Sequence, residues 1–294
     1  MAHTPALRAA VAQIETRIGD LRHNLQLHLD LIAQARAQQA GLLVFPELSL
    51  TGYSLGNDAL HLALRRDDPL LGELAAAASG IDVAFGFVEE GCAAQLYNAA
   101  AVVRDGQLRH VHRKLNLPTY GRLEEGKLFA QGRHVELCPL EGDWKAGLLI
   151  CADLWNPALV HVTLQRGATV LLAPISSAQG VVEGGFSNPE GWDLALRFYA
   201  MMYGTPILMA NRTGHEGDTP FWGGSRIVDA HGQTIAQVAD GATGIVCADL
   251  AYETVRSARF NLPTLRDSNP DLIARLSLEN THHRHEEHSC KTFS

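Results

Sequence analysis

The chain has 294 residues, 46% of them hydrophobic and 19% charged, with a formal net charge of −8. That composition argues against disorder, and an acidic balance with no Lys/Arg-rich run argues against a nucleic-acid partner. No apolar run reaches the roughly 18 residues that a membrane-spanning helix needs, and residues 1–10 lack a signal-peptide pattern.

Five scattered cysteines, Cys92, Cys138, Cys151, Cys247 and Cys290, form no CxxC pair and no disulfide framework, so a reducing cytoplasm is expected. In chain order, 6–13 reads as a buried strand. Asp20 can cap a helix reaching 39, with Leu21, Leu25, Leu29 and Ile32 on one face. Strand 42–45 ends at Pro46. An Ala-rich helix over 70–78 precedes strand 81–88, and 98–103 with 108–112 flank Asp105-Gly106, a hairpin signal. Strands 145–150 and 169–173 are separated by a helix over 157–165, and helix 190–203 leads to strand 206–210. Strands 225–228 and 234–238 flank a turn at 229–232, and strand 244–248 follows.

The order mixes βα units with hairpins, which predicts an α/β fold of two mixed sheets face to face with helices outside. No linker or repeat divides the chain. One domain is expected over 1–262, with 263–294 as a C-terminal extension or tail that could sit at an oligomer interface. His282, His283, His285, His288 and Cys290 crowd that tail, but their spacing matches no closed zinc site, so no metal is expected there. Gly184-Gly185 and Gly223-Gly224 read as turn glycines rather than phosphate loops, and Ser225 lies in no GxSxG elbow.

Three reactive side chains sit where an apolar strand hands over to a loop. Glu47 follows Phe45-Pro46, where a partly desolvated carboxylate suits general base work. Lys114 closes the hairpin strand before Leu117-Pro118-Thr119-Tyr120-Gly121, where an ammonium can stabilise an oxyanion. Cys151 ends the run Gly147-Leu148-Leu149-Ile150 and starts a helix, whose N–H groups would favour the thiolate. Taken singly, each is equally a solvated Glu, a surface Lys or a buried Cys. Taken together, strand ends on one sheet edge converge on one crevice, where ligands usually bind.

With 67 residues from Glu47 to Lys114 and 37 more to Cys151, these neighbourhoods resemble the nitrilase, or carbon–nitrogen hydrolase, superfamily over about 6–260. The resemblance implies a four-layer αββα sandwich and homo-oligomers, dimers or larger. It implies Glu47 as general base, Lys114 stabilising the tetrahedral intermediate and Cys151 as nucleophile. It also implies substrate contacts from Tyr120, Glu125, Ala152 (through its backbone N–H) and Trp155. Within the superfamily the chain is most similar to the glutaminase domain of glutamine-dependent NAD synthetases. The segments carrying this are Pro46-Glu47-Leu48-Ser49-Leu50-Thr51-Gly52-Tyr53, Leu117 to Gly121, Asp153-Leu154-Trp155, Asn211-Arg212-Thr213-Gly214 and Phe221-Trp222-Gly223-Gly224-Ser225.

Two departures stand out. Ala152 occupies a position usually acidic in that group, and the synthetase half with its Ser-Gly-Gly phosphate loop is missing, so NAD synthesis is not expected. The implied activity is hydrolysis of a small primary amide through a thioester, with no metal or organic cofactor. A nitrilase, an N-carbamoyl amine hydrolase, or a glutaminase-type subunit feeding ammonia to a separate synthetase are the alternatives. A non-catalytic binding protein is disfavoured by the intact trio.

Overall fold

Apolar strands punctuated by capped helices give the architecture of the computed structural model, which describes residues 4–121, 123–180, 182 and 184–279. The histidines of the tail and Cys290 lie outside the described residues. In chain order come β1 (Leu7–Gln13), α1 (Leu21–Ala37), β2 (Leu42–Val44), α2 (Ala59–Leu62), α3 (Pro69–Ala77) and β3 (Asp82–Glu90). Next are β4 (Leu96–Arg104), β5 (Gln107–Arg113), α4 (Glu125–Leu128), β6 (Leu137–Pro139), β7 (Lys145–Leu148), a 3₁₀ segment (Cys151–Trp155), α5 (Pro157–Gln165) and β8 (Val170–Ile175). The rest is α6 (Asn188–Tyr203), β9 (Ile207–Asn211), β10 (Thr213–Glu216), β11 (Thr219–Trp222), β12 (Arg226–Val228), β13 (Thr234–Gln237), β14 (Gly244–Leu250) and α7 (Tyr252–Asn261), with 270–279 also helical. Among the described residues no helix is long and apolar enough to cross a membrane.

Two six-stranded sheets run in the orders β14-β1-β2-β3-β4-β5 and β13-β12-β9-β8-β7-β6. Read from β14 and from β6, both show the same pairing: antiparallel, parallel, parallel, antiparallel, antiparallel. Successive side chains of a strand point to opposite faces. Ala10 and Ala12 of β1 therefore face α1 and α3, while Ala9 and Val11 face the second sheet. In β8, Val170 and Leu172 meet the first sheet, and Leu171 and Ala173 meet α5 and α6. The result is the expected four-layer αββα sandwich of two mixed sheets. Burial on both faces explains why these strands read as continuous apolar runs rather than alternating ones.

Local signals account for most element ends. The Asp20 side chain accepts from His23 N at 3.0 Å and caps α1. Ser187 caps α6 with Pro189 in the first turn, so that helix starts two residues before the predicted 190. The hairpin β10–β11 and the edge strand β6 have no predicted counterpart. At three or four residues each, they are too short for periodicity to register.

Beneath α1, the fully buried His28 stacks on Phe45 at 4.1 Å between centroids. Its Nδ1 donates to the Asn24 carbonyl at 2.7 Å, leaving Nε2 to accept from Ser49 Oγ at 2.9 Å. Burial lowers its pKa to about 4, against an opposing pull from the Asn24 carbonyl. The unfolded chain thus takes up a proton between pH ~6.5 and ~4 that the folded chain refuses, so stability falls as pH falls, by up to ~3 kcal/mol. Urea unfolding at about pH 7 and pH 4.5 should show a larger acid loss for the wild type than for His28→Asn, and equal losses would contradict this account.

Candidate active site

Each candidate side chain is delivered by a strand end. β2 runs through Phe45 and Pro46 to Glu47, and the turn continues through Leu48 with φ at 47°. That turn lies directly on β3. A Cβ at Gly86 would stand 2.1 Å from Leu48 N, so only glycine permits the approach. Lys114 follows β5, held by Lys114 N donating to Asn98 O and Gly132 N donating to Lys114 O, both at 2.8 Å.

Cys151 follows β7 on a turn with φ at 43°, a left-handed conformation rare outside glycine. The buried carboxylate of Asp153 braces this turn. Its Oδ2 accepts from Ile150 N at 3.0 Å, and its Oδ1 accepts from Leu115 N at 2.9 Å and Asn116 N at 2.7 Å. His112 Nε2 lies 3.2 Å from Oδ2. One side chain therefore ties the cysteine turn to the segment that leaves Lys114.

Lys114 and Glu47 meet in one buried ion cluster, tied to the cavity of Cys151 through Ser176. Lys114 Nζ donates to Glu47 Oε1 at 2.6 Å and to Glu125 Oε1 at 2.7 Å. Asn98 Nδ2 donates to Glu47 Oε1 at 2.8 Å and to Glu125 Oε2 at 3.3 Å, and Tyr53 OH donates to Glu125 Oε1 at 2.5 Å. The other Glu47 oxygen accepts from Ser176 N at 2.9 Å, while Ser176 Oγ donates to Glu47 O at 2.8 Å. Glu47 follows β2 and Ser176 follows β8, which occupy equivalent places in the two sheets, so the contact joins matching strand ends.

Electrostatics assign protonation. Burial disfavours the Lys114 ammonium, but Glu125 and Glu47 outweigh it and hold the amine charged well above its usual range. Burial pushes the Glu125 carboxyl up, against the pull of Lys114. The Cys151 thiol is pushed well above its ordinary value by burial and then by the Glu47 charge, with Lys114 and the Ser176 amide pulling the other way. The sequence expectation of a favoured thiolate is thus reversed. Two carboxylates share the one ammonium, and its pull on the thiol is outweighed by burial and the Glu47 charge.

Cys151 opens onto a cavity of ≈ 420 Å³. Of the residues singled out from sequence, Tyr120, Ala152 and Trp155 line it with Cys151. Glu47, Lys114 and Glu125 do not, because their charged groups are buried and bonded to one another, with Asn98 and Tyr53. The Ala152 N–H belongs to the first turn of the 3₁₀ segment, where backbone donors have no acceptor within the helix. Tyr53 also lines the cavity. The Glu216 carboxylate, paired with Arg212, fixes it there by accepting from Tyr53 N and Ser54 N at 2.8 Å each.

Asn98, Tyr53, Asp153 and Ser176 were not named as site residues from sequence. Asn98 had a signal, a lone amide just before the apolar run Ala99 to Val103, and Asp153 another, an acid within an apolar turn. The Ser176 contact to the carboxylate is a backbone N–H, which no residue type announces.

Residues 8–260 match the family described as Carbon-nitrogen hydrolase. The glutamine-dependent NAD(+) synthetase of Thermotoga maritima is 34% identical over 232 residues, covering 78% of this chain but only 39% of its own length. A probable nitrilase of Schizosaccharomyces pombe is 27% identical, over 91% of this chain and 97% of its own. Among solved structures, a Glu-to-Gln mutant of the amidase from Nesterenkonia sp. AN1 aligns with TM-score 0.78 at 25% identity, covering 94% of this chain and 99% of that one. In that structure the acetamide moiety of fluoroacetamide is joined covalently to the active-site cysteine.

Proposed function

As the chain belongs to the carbon–nitrogen hydrolase family, we propose that it hydrolyses a small primary amide through a thioester on Cys151. What supports this reading is that Ser176, which lines the same cavity as Cys151, holds the Glu47 carboxylate that pairs with Lys114.

Glu47 takes the thiol proton as sulfur attacks the amide carbonyl carbon, and the carbonyl pair moves to oxygen. The Ala152 N–H and the Lys114 ammonium stabilise that oxyanion. Collapse expels nitrogen as ammonia, carrying the proton from Glu47, and leaves the thioester. Water then gives a proton to Glu47 as its oxygen attacks the thioester. The C–S bond breaks, sulfur regains the proton, and the carboxylic acid departs. Glu125, Asn98 and Tyr53 position Lys114 and Glu47, and Asp153 positions the cysteine turn. The covalent adduct in the Nesterenkonia amidase belongs to that protein and lends this chemistry analogy.

A second reading draws on the NAD synthetase relative, of whose length the chain spans 39%. In it, the chain is a glutaminase-type unit that passes ammonia to a separate synthetase. Ammonia release from a panel of primary amides, nitriles and N-carbamoyl compounds tests the leading reading. Primary amides should turn over fastest, and a panel in which no amide is hydrolysed would contradict it.

A further inference from the structure

The wall of the cavity beyond Cys151 carries information that the candidate trio does not. Its described lining residues include no Asp, Glu, Lys, Arg or His. Trp155 lies over Trp192 at 4.4 Å between centroids and meets Phe186 edge-on at 5.8 Å. Trp155 and Phe186 are nevertheless 37% and 44% exposed, as is Tyr120 across the mouth at 47%. Large aromatic faces left open side by side in a concavity are characteristic of a ligand site.

The fold gives up helix propensity to keep this wall in place. Gly191 lies within α6, where glycine is a poor helix former. A Cβ there would meet Phe186 Cζ at 2.6 Å and Trp155 Cη2 at 3.2 Å. The missing side chain lets both rings settle against the helix instead of moving into the cavity.

The polar groups of this wall are neutral, and those of Ser177 and Asn188 are engaged within the protein. Ser177 N donates to Asn211 Oδ1 at 2.9 Å, and Asn188 Nδ2 donates to Ala178 O at 2.7 Å and Ser177 Oγ at 3.1 Å. Asn188 Oδ1 is buried with no partner among the described residues. The described wall offers aromatic faces, which a free amino acid such as glutamine would leave uncovered. A cavity of about 150 Å³ holds benzene. The ≈ 420 Å³ here has room for a ring and a short linker to the carbonyl at Cys151.

We propose that the substrate's acyl group is uncharged and ends in an aromatic ring, which Trp155 and Phe186 receive, with Trp192 backing Trp155. This rests on the amide-hydrolase reading and narrows it away from glutamine. The test compares kcat/KM for 3-phenylpropionamide, propionamide and glutamine in the wild type and in Phe186→Ala. The phenyl compound should exceed propionamide by roughly tenfold or more, glutamine should be poorest, and Phe186→Ala should cut the phenyl-to-propionamide ratio by roughly tenfold. Glutamine turned over as well as the phenyl amide, or a ratio unmoved in Phe186→Ala, would overturn the proposal. Binding to Cys151→Ala, read by tryptophan fluorescence, separates the recess from the chemistry. Saturable binding of 3-phenylpropionamide without turnover in the wild type would sink only the hydrolase reading, whereas no binding sinks the recess.

Discussion

Replacing Cys151 with alanine is expected to lower amide hydrolysis by ~10⁴-fold or more, because the proposed pathway has no route that bypasses the thioester. Fold loss is not the expected cause. The side chain is small and only partly buried, so the melting temperature should move by a few degrees at most, as for a change of about 1 kcal/mol or less. Ammonia release per folded protein, with folding followed by circular dichroism, checks both statements. Turnover within tenfold of the wild type would remove Cys151 from the mechanism.

Lys114→Met is expected to damage stability and catalysis together. Methionine keeps most of the volume and removes the ammonium, leaving the buried carboxylates of Glu47 and Glu125 facing each other. Removing one partner of a buried ion pair costs about 3–5 kcal/mol, and losing an oxyanion stabiliser costs ~10²–10³ in kcat. The pH dependence has a definite sign. Burial already raises the Glu125 carboxyl, and Lys114 pulls against that rise, so the variant raises it further. A folded-state acid with a raised pKa binds its proton more tightly than the unfolded chain, so the variant loses more stability as pH rises. Urea unfolding between about pH 5 and pH 8 reads this directly. Adding Glu125→Gln to Lys114→Met should recover part of the loss, since one unpaired charge is gone. Simple additivity of the two changes would argue against the shared ion cluster.

The layered fold was legible because its strands are long apolar runs with clear punctuation. Asp20 marks the start of α1, Asp105-Gly106 marks the β4–β5 turn, and Pro46 ends the run that delivers Glu47. Strand order was not legible. β1 pairs with β14 across the length of the chain, Leu7 against Leu250, and nothing local encodes that partnership.

The candidate trio was visible because reactive side chains interrupt apolar strand ends at ordered positions. Their protonation was not. The expectation for Cys151 counted helix N–H groups but neither the burial of the thiol nor the Glu47 charge, which push it the other way. Positioning groups were missed where their signal is weak or belongs to no residue type. Asn98 is one amide in a strand of alanines, and the Ser176 contact to Glu47 is made by backbone. Likewise, the reason for a glycine at 191 lies in Phe186 and Trp155, which pack over it from outside the helix.

The most direct test of the account is the mass of the protein quenched in acid during turnover of a primary amide, followed by peptide mapping. One added acyl group, lost as ammonia formation finishes, is expected on the peptide containing Cys151, and none in Cys151→Ala. An acyl group on another residue, or full turnover with no acyl-enzyme and no loss of activity in Cys151→Ala, would contradict it.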